Sequence, residues 1–142
     1  MDFIKSIKLC IAVIATFITN YLGGFDKTLE ILCLMIVLDF ITGLLKAIVN
    51  KNVSSRRCFE GVIKKTCYFI LIAIAYSISG FNPHYSDMVR DLVCYYLIAT
   101  DALSVLENIG DCGVPYPKFL RDILEQLKDN SDKGEFDNTT EI

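Results

Sequence analysis

The sequence predicts an all-α, multi-pass transmembrane protein with about four spans, a short cytoplasmic amphipathic helix and a disordered acidic tail. Three observations carry this. Of 142 residues, 53% are hydrophobic and only 22% charged, against roughly 45–50% and about 25% in an ordinary soluble domain. Residues 9–25 and 66–86 carry no formal charge, so apolar residues gather in blocks near the roughly 20 residues that cross a bilayer. A four-span arrangement puts every Lys and Arg except Lys27 and Arg90 on one side of the membrane, the bias of the positive-inside rule. These features exclude a soluble two-domain enzyme. The length allows one domain at most, and disorder is confined to the tail.

The first span covers about 4–23. It opens with Lys5 and Lys8 and continues as the apolar run Leu9 to Ile18. A signal peptide starts in the same way, but Thr19-Asn20-Tyr21-Leu22 offers no small-x-small cleavage site. The segment is therefore read as uncleaved, and Gly23-Gly24 breaks its helix. The second span, about 28–49, carries Asp39 near its middle. The connection 50–65 is basic, with Lys51, Arg56, Arg57, Lys64 and Lys65 and Glu60 as its only acid. It reads as a membrane-surface loop that holds anionic lipid.

The third span, about 66–81, is the most apolar, and Asn82-Pro83 ends it. The fourth, about 88–107, includes Arg90, Asp91 and Asp101. Gly110, Gly113, Pro115 and Pro117 then force a turn. Phe119, Leu120, Ile123, Leu124 and Leu127 recur at helical spacing, which predicts an amphipathic helix over about 117–128 opened by Pro117. The domain reading is a membrane domain over 1–112, the helix within 113–128 and an acidic, disordered tail over 129–142.

The basic residues place both termini in the cytoplasm. In a three-span alternative, Lys5, Lys8 and Asn20 shorten the first segment and leave it in the interface. That arrangement puts the N-terminus outside, against Lys5 and Lys8.

A carboxylate at the centre of a span costs about 2.5–3.5 kcal/mol unless it faces protein or water. At about 100° per residue, Asp39, Thr42, Gly43 and Lys46 fall on one narrow arc of the second span. Thr100, Asp101, Ser104, Glu107 and Asn108 fall on one arc of the fourth. Each greasy cylinder thus carries a polar stripe, lining either a pore or a contact between subunits. The plainer alternative is that the stripes face each other inside one bundle, with Gly43 permitting close approach.

The six cysteines form no C-x-x-C pair. Cys10, Cys33, Cys67 and Cys94 lie inside apolar runs and read as small hydrophobes. His84 is the only histidine and has no ligand-spaced neighbour. No metal, cofactor or catalytic constellation is expected, and no basic patch interleaved with aromatics suggests nucleic acid.

Several residues together resemble the bacteriophage holin family, which includes clostridial toxin-secretion holins. They are Leu38-Asp39-Phe40-Ile41-Thr42-Gly43, then Ser54-Ser55-Arg56, then Gly61 with Lys64-Lys65. The stretch Ser104-Val105-Leu106-Glu107-Asn108-Ile109-Gly110, followed by Gly113-Val114-Pro115-Tyr116-Pro117 and Leu120, matches the family's C-terminal signature. Asp101 stands where the family usually has an acid, often glutamate. The resemblance covers roughly 30–127. It implies a small protein that oligomerises in the host cytoplasmic membrane and opens lesions. Through them a muralytic enzyme (an endolysin) reaches the wall, or a folded toxin leaves. The partners implied are the lipid bilayer and further copies of the chain.

Two other classes compete. A small proton-coupled multidrug-type transporter needs an aromatic-lined acidic site. Tyr68, Phe69, Tyr95 and Tyr96 cluster in sequence with no evident acid at their centre. A membrane scaffold would instead hold a cytoplasmic partner through the helix 117–128.

Overall fold

The computed structural model describes residues 2–81 and 87–134. These form five helices: α1 Asp2–Tyr21, α2 Lys27–Val49, α3 Ser55–Phe81, α4 Met88–Asp111 and α5 Lys118–Lys133. No strand occurs among the described residues. The expected stop at Asn82-Pro83, the position of His84 and the tail from 135 onward lie outside them.

The first four helices are long and apolar enough to cross a membrane. At 1.5 Å per residue, the 20 residues of α1 span about 30 Å, the thickness of a hydrocarbon core. Gly23 and Gly24 end α1 at φ 83 and 93°. The Gly24 amide donates to the Thr19 carbonyl at 2.9 Å, closing the last turn as left-handed glycines do. Asp26 then caps α2, accepting from the Leu29 amide at 3.0 Å, which satisfies a donor that the first turn leaves open.

The basic stretch 50–65 is not a surface loop. It is helical from Ser55 onward, and the first turns of α3 carry Arg56, Arg57, Lys64 and Lys65. The 27 residues of α3 make about 40 Å of helix, longer than the hydrocarbon core, so its basic start extends the span without breaking it. Arg56 and Glu60 pair at 3.0 Å one turn apart, a spacing that favours helix. Only Lys51, at φ 52°, and its neighbours form the connection.

α4 is the central helix, and α2, α3 and α5 all pack on it. α2 and α4 run parallel. Asp26 meets Arg90 at one end of the pair and Lys46 meets Asp111 at the other, at 2.6 Å. Leu29, Leu32, Ile72, Cys94, Leu97 and Ile98 form the apolar core between α2, α3 and α4. α1 touches only α3 to any extent and buries none of its span. Leu9 is 67% exposed and Phe17 62%. This outward greasiness suits a chain whose solvent is lipid.

α5 runs to Lys133, past the expected end at 128. Residues 129–133, assigned above to the disordered tail, are helical. After the turn at Gly113, φ 87°, α5 doubles back along α4. Ser131 is buried and Leu124, Leu127 and Lys128 are half-buried, whereas Phe119, Leu120 and Ile123 of the expected apolar face are exposed. The Lys128 ammonium lies 5.5 Å from the Tyr96 ring centre. Pro117 caps the helix in an extended conformation, consistent with its missing amide proton.

Candidate functional site

Asp39 lies ten residues before the end of α2, about 15 Å along the axis, near mid-depth of a span. Its Oδ2 is 3.0 Å from Lys65 Nζ on α3. The same ammonium reaches Oδ1 of Asp101 on α4. The Tyr68 hydroxyl donates to that Asp101 oxygen at 3.1 Å, while Lys65 Nζ stands 4.7 Å from the Tyr68 ring centre. Three helices are therefore joined by one cation between two acids. The Asp101 side chain is 2% exposed, and its Oδ2 has no hydrogen-bond partner among the described residues.

The acids extend into a second set of polar contacts. Asn108 Nδ2 donates to Asp39 Oδ1 at 3.4 Å and to Thr42 Oγ1 at 3.3 Å. Thr42 in turn donates to the Leu38 carbonyl at 2.8 Å. Within one chain, Asp39, Thr42, Asp101 and Asn108 meet inside the bundle, the plainer of the two arrangements. Two formal negative charges face one positive, and a buried pair of this kind is costly to break from one side.

The other stripe residues behave differently. Thr100 donates to the carbonyl of Tyr96 in its own helix at 2.8 Å. Ser104 is half-buried, and Glu107 faces outward. Gly43 does not provide a tight approach: a Cβ there would stand 3.7 Å from Asn108 Nδ2, an ordinary contact.

Two assignments are corrected. Lys65 is not a lipid-facing cation of a surface loop but the centre of the cluster. Tyr68 is not without an acid, because it binds Asp101. Counting basic residues along a sequence cannot distinguish a paired lysine from a solvated one. The available signal is spacing, since Lys65 and Tyr68 are three apart and share a helix face. Arg56, Arg57 and Lys64 are exposed, as is Lys51.

Sequence reasoning misses a second cluster. Arg90, counted above among the outer residues, is 1% exposed. Its guanidinium grips Asp26 with two bonds, of 2.6 Å and 3.0 Å. It also contacts Asp91 at 3.1 Å and donates to the Leu22 carbonyl. The Arg90 bonds hold the Asp26 carboxyl below the ordinary carboxylate range. This pins the α1–α2 turn to the start of α4.

No group of three or more potential metal ligands exists among the described residues. A cleft of about 930 Å³ opens between α2 and α3, with Asp39, Lys65 and Asn108 on its inner wall.

Comparison with known proteins agrees with this architecture. Residues 16–129 match the bacteriophage holin family. An uncharacterised protein of Clostridium perfringens strain 13 is 31% identical over 125 residues, 88% of this chain and 93% of the relative. A protein named as a probable holin of Bacillus phage phi105 is 31% identical over 118 residues, 82% of this chain and 87% of the relative. An uncharacterised Listeria monocytogenes protein is 33% identical over 102 residues, 72% of each chain. No solved structure matches the chain. Four apolar helices, charges gathered at the bundle centre and a family match across most of the length agree: the chain belongs to the bacteriophage holin family.

Proposed function

We propose that the protein accumulates in the bacterial cytoplasmic membrane with both termini cytoplasmic, oligomerises, and forms lesions that release a muralytic enzyme or a folded toxin. It carries out no catalysis of its own. The observation that carries this reading is the Asp39–Lys65–Asp101 cluster at mid-depth of three spans. In a single bundle the charges satisfy one another, Asp101 almost fully buried and Asp39 and Lys65 mostly so. When copies associate and the helices part, the same side chains gain water. Hydration of a charged group can exceed what a buried pair recovers, so the cluster favours a wet lumen once one begins to form. The stripe residues Thr42, Thr100, Ser104, Glu107 and Asn108 would then face that lumen or a neighbouring copy.

The test is controlled expression in a bacterium, with and without a co-expressed cytoplasmic wall hydrolase. Abrupt lysis only in the combination is expected. Steady growth in both arms would overturn the reading. Asp101→Leu at equal expression is expected to shift the onset of permeabilisation, and unchanged timing would remove the cluster from the mechanism.

The transporter reading draws on one observation, the Asp39-bearing cleft with Phe40 and Phe69 on its walls. It predicts that induction is tolerated and that resistance to cationic compounds rises.

A further inference from the structure

We propose that the cleft between α2 and α3 binds one anionic phospholipid, with an acyl chain in the groove and the phosphate at Arg57. The argument begins with shape. α2 and α3 both pack on α4 and leave a gap between themselves. It runs from Ile36 to Asn50 along α2, about 21 Å at 1.5 Å per residue. One leaflet of hydrocarbon is about 15 Å deep, so the gap is long enough for an acyl chain lying along its apolar walls, past the mutually paired Asp39 and Lys65 on the inner side. Its volume of about 930 Å³ is at the upper end of ligand sites, about 300–1,000 Å³.

The lining has two chemistries. Val37, Phe40 and Leu44 face Val62 and Phe69, which suits a hydrocarbon tail. Gly61 contributes no side chain to the opposite wall, and nothing lies within 4 Å of where its Cβ would be. The bundle therefore leaves the space beside Gly61 unfilled. Its mouth lies at the loop between the helices, where Asn50, Asn52, Ser54 and Arg57 gather.

Charge selects the headgroup. Three cations line the cleft: Lys46, Arg57 and Lys65. Lys46 is paired with Asp111, and Lys65 with Asp39 and Asp101. Arg57 has no carboxylate partner among the described residues. A guanidinium with its donor fork open beside amide and hydroxyl donors is suited to a phosphate. A basic pocket between spans is a recognised form of headgroup site.

The chain has no tryptophan, so Phe69→Trp creates a single fluorescent reporter inside the cleft. The full-length variant is reconstituted in phosphatidylcholine vesicles containing a fixed fraction of chain-brominated lipid, either phosphatidylglycerol or phosphatidylcholine. Ile70→Trp, on the lipid-facing side of α3 (Ile70 is 56% exposed), reports bulk lipid. At about fivefold per cation, brominated phosphatidylglycerol is expected to outcompete phosphatidylcholine several-fold in quenching the cleft reporter and not the bulk-lipid reporter. Arg57→Gln is expected to abolish that preference, and Gly61→Leu to reduce quenching of the cleft reporter by both lipids. Soluble glycerol phosphate at millimolar concentration is expected to leave the quenching unchanged, because the tail supplies most of the binding.

Equal quenching of the cleft reporter by the two lipids, or a preference that survives Arg57→Gln, would overturn the headgroup assignment. Displacement by glycerol phosphate would overturn the lipid in favour of a free phosphate. If Phe69→Trp does not fold, Phe40→Trp reports on the same cleft from α2. None of these readouts depends on lysis, so the lipid site and the lesion mechanism stand or fall separately.

Discussion

Asp39 on α2 and Asp101 on α4 are held by the same ammonium, that of Lys65 on α3. Neither acid pairs with a second cation among the described residues, so the three helices depend on a single side chain for charge balance. Lys65→Met is expected to destabilise the bundle by about 3–5 kcal/mol, because it leaves buried charge without compensation. Thermal unfolding in mild detergent would measure the loss. Replacing all three residues by apolar ones of similar size should restore most of the stability. A triple variant as unstable as Lys65→Met would show that the charges do more than balance one another.

The clamp between Asp26 and Arg90 predicts an acid-sensitive turn. The Arg90 bonds hold the Asp26 carboxyl below its ordinary range, so the folded state binds that proton less readily than the unfolded chain. The resulting stabilisation is complete above the unfolded value of about 3.9. It is lost as pH falls through the lower folded value. Asp26→Ala should remove that pH dependence and cost about 2–3 kcal/mol at neutral pH, since it strips a buried guanidinium of its main acceptor. Unfolding followed from pH 7 to 2, wild type against variant, tests both statements.

Two glycines should respond oppositely to alanine. At Gly23 an added Cβ would lie 2.9 Å from Arg90 Cδ and from Tyr76 Cδ2, at φ +83°. The left-handed backbone alone costs about 1–2 kcal/mol, and the side chains would have to move as well. At Gly43 the new methyl meets only an ordinary contact, and alanine is the better helix former by about 1 kcal/mol. Gly43→Ala should therefore be neutral or stabilising in the same detergent assay, and Gly23→Ala clearly destabilising.

The position of α5 leads to a labelling prediction. Lys128 lies against Tyr96, near the midpoint of α4, while Arg121, Asp122, Glu125 and Asp129 face outward. Charges at such depth cannot face acyl chains cheaply, so the charged side of α5 is expected to be wet, although Phe119, Leu120 and Ile123 are exposed as well. In a chain with its native cysteines replaced, Glu125→Cys in vesicles should react with a membrane-impermeant maleimide far faster than Leu124→Cys. The reverse order would mean that α5 turns its apolar face to water.

How much of this is legible in the sequence varies with the physics involved. The spans are legible because lipid imposes long charge-free runs, as at residues 66–86. The breaks at Gly23-Gly24 and around Gly113 follow from backbone preference. The helical start of α3 is hidden because Arg56, Arg57 and Lys64 carry no apolar periodicity, although arginine and lysine are good helix formers. Part of the site is legible: Asp39, Thr42, Asp101 and Asn108 stand out as polar groups in apolar runs, and they do meet. Lys65 is not, because partner choice depends on three-dimensional distance. The docking of α5 on α4 is hidden for a related reason: the amphipathic pattern does not name the covering partner, and only Leu124 and Leu127 of its apolar positions turn toward α4.

α1 has no buried residue along its span and is joined to the rest by two glycines, the grip of Arg90 and a slight contact with α3. Substitutions along its length therefore leave the interior of the three-helix core untouched. The bulk, shape and hydrophobic match of this helix are set by what surrounds the bundle, lipid or a neighbouring copy, rather than by its interior. Within one short polypeptide, the helices that hold each other together are separate from the one that meets only its surroundings along most of its length.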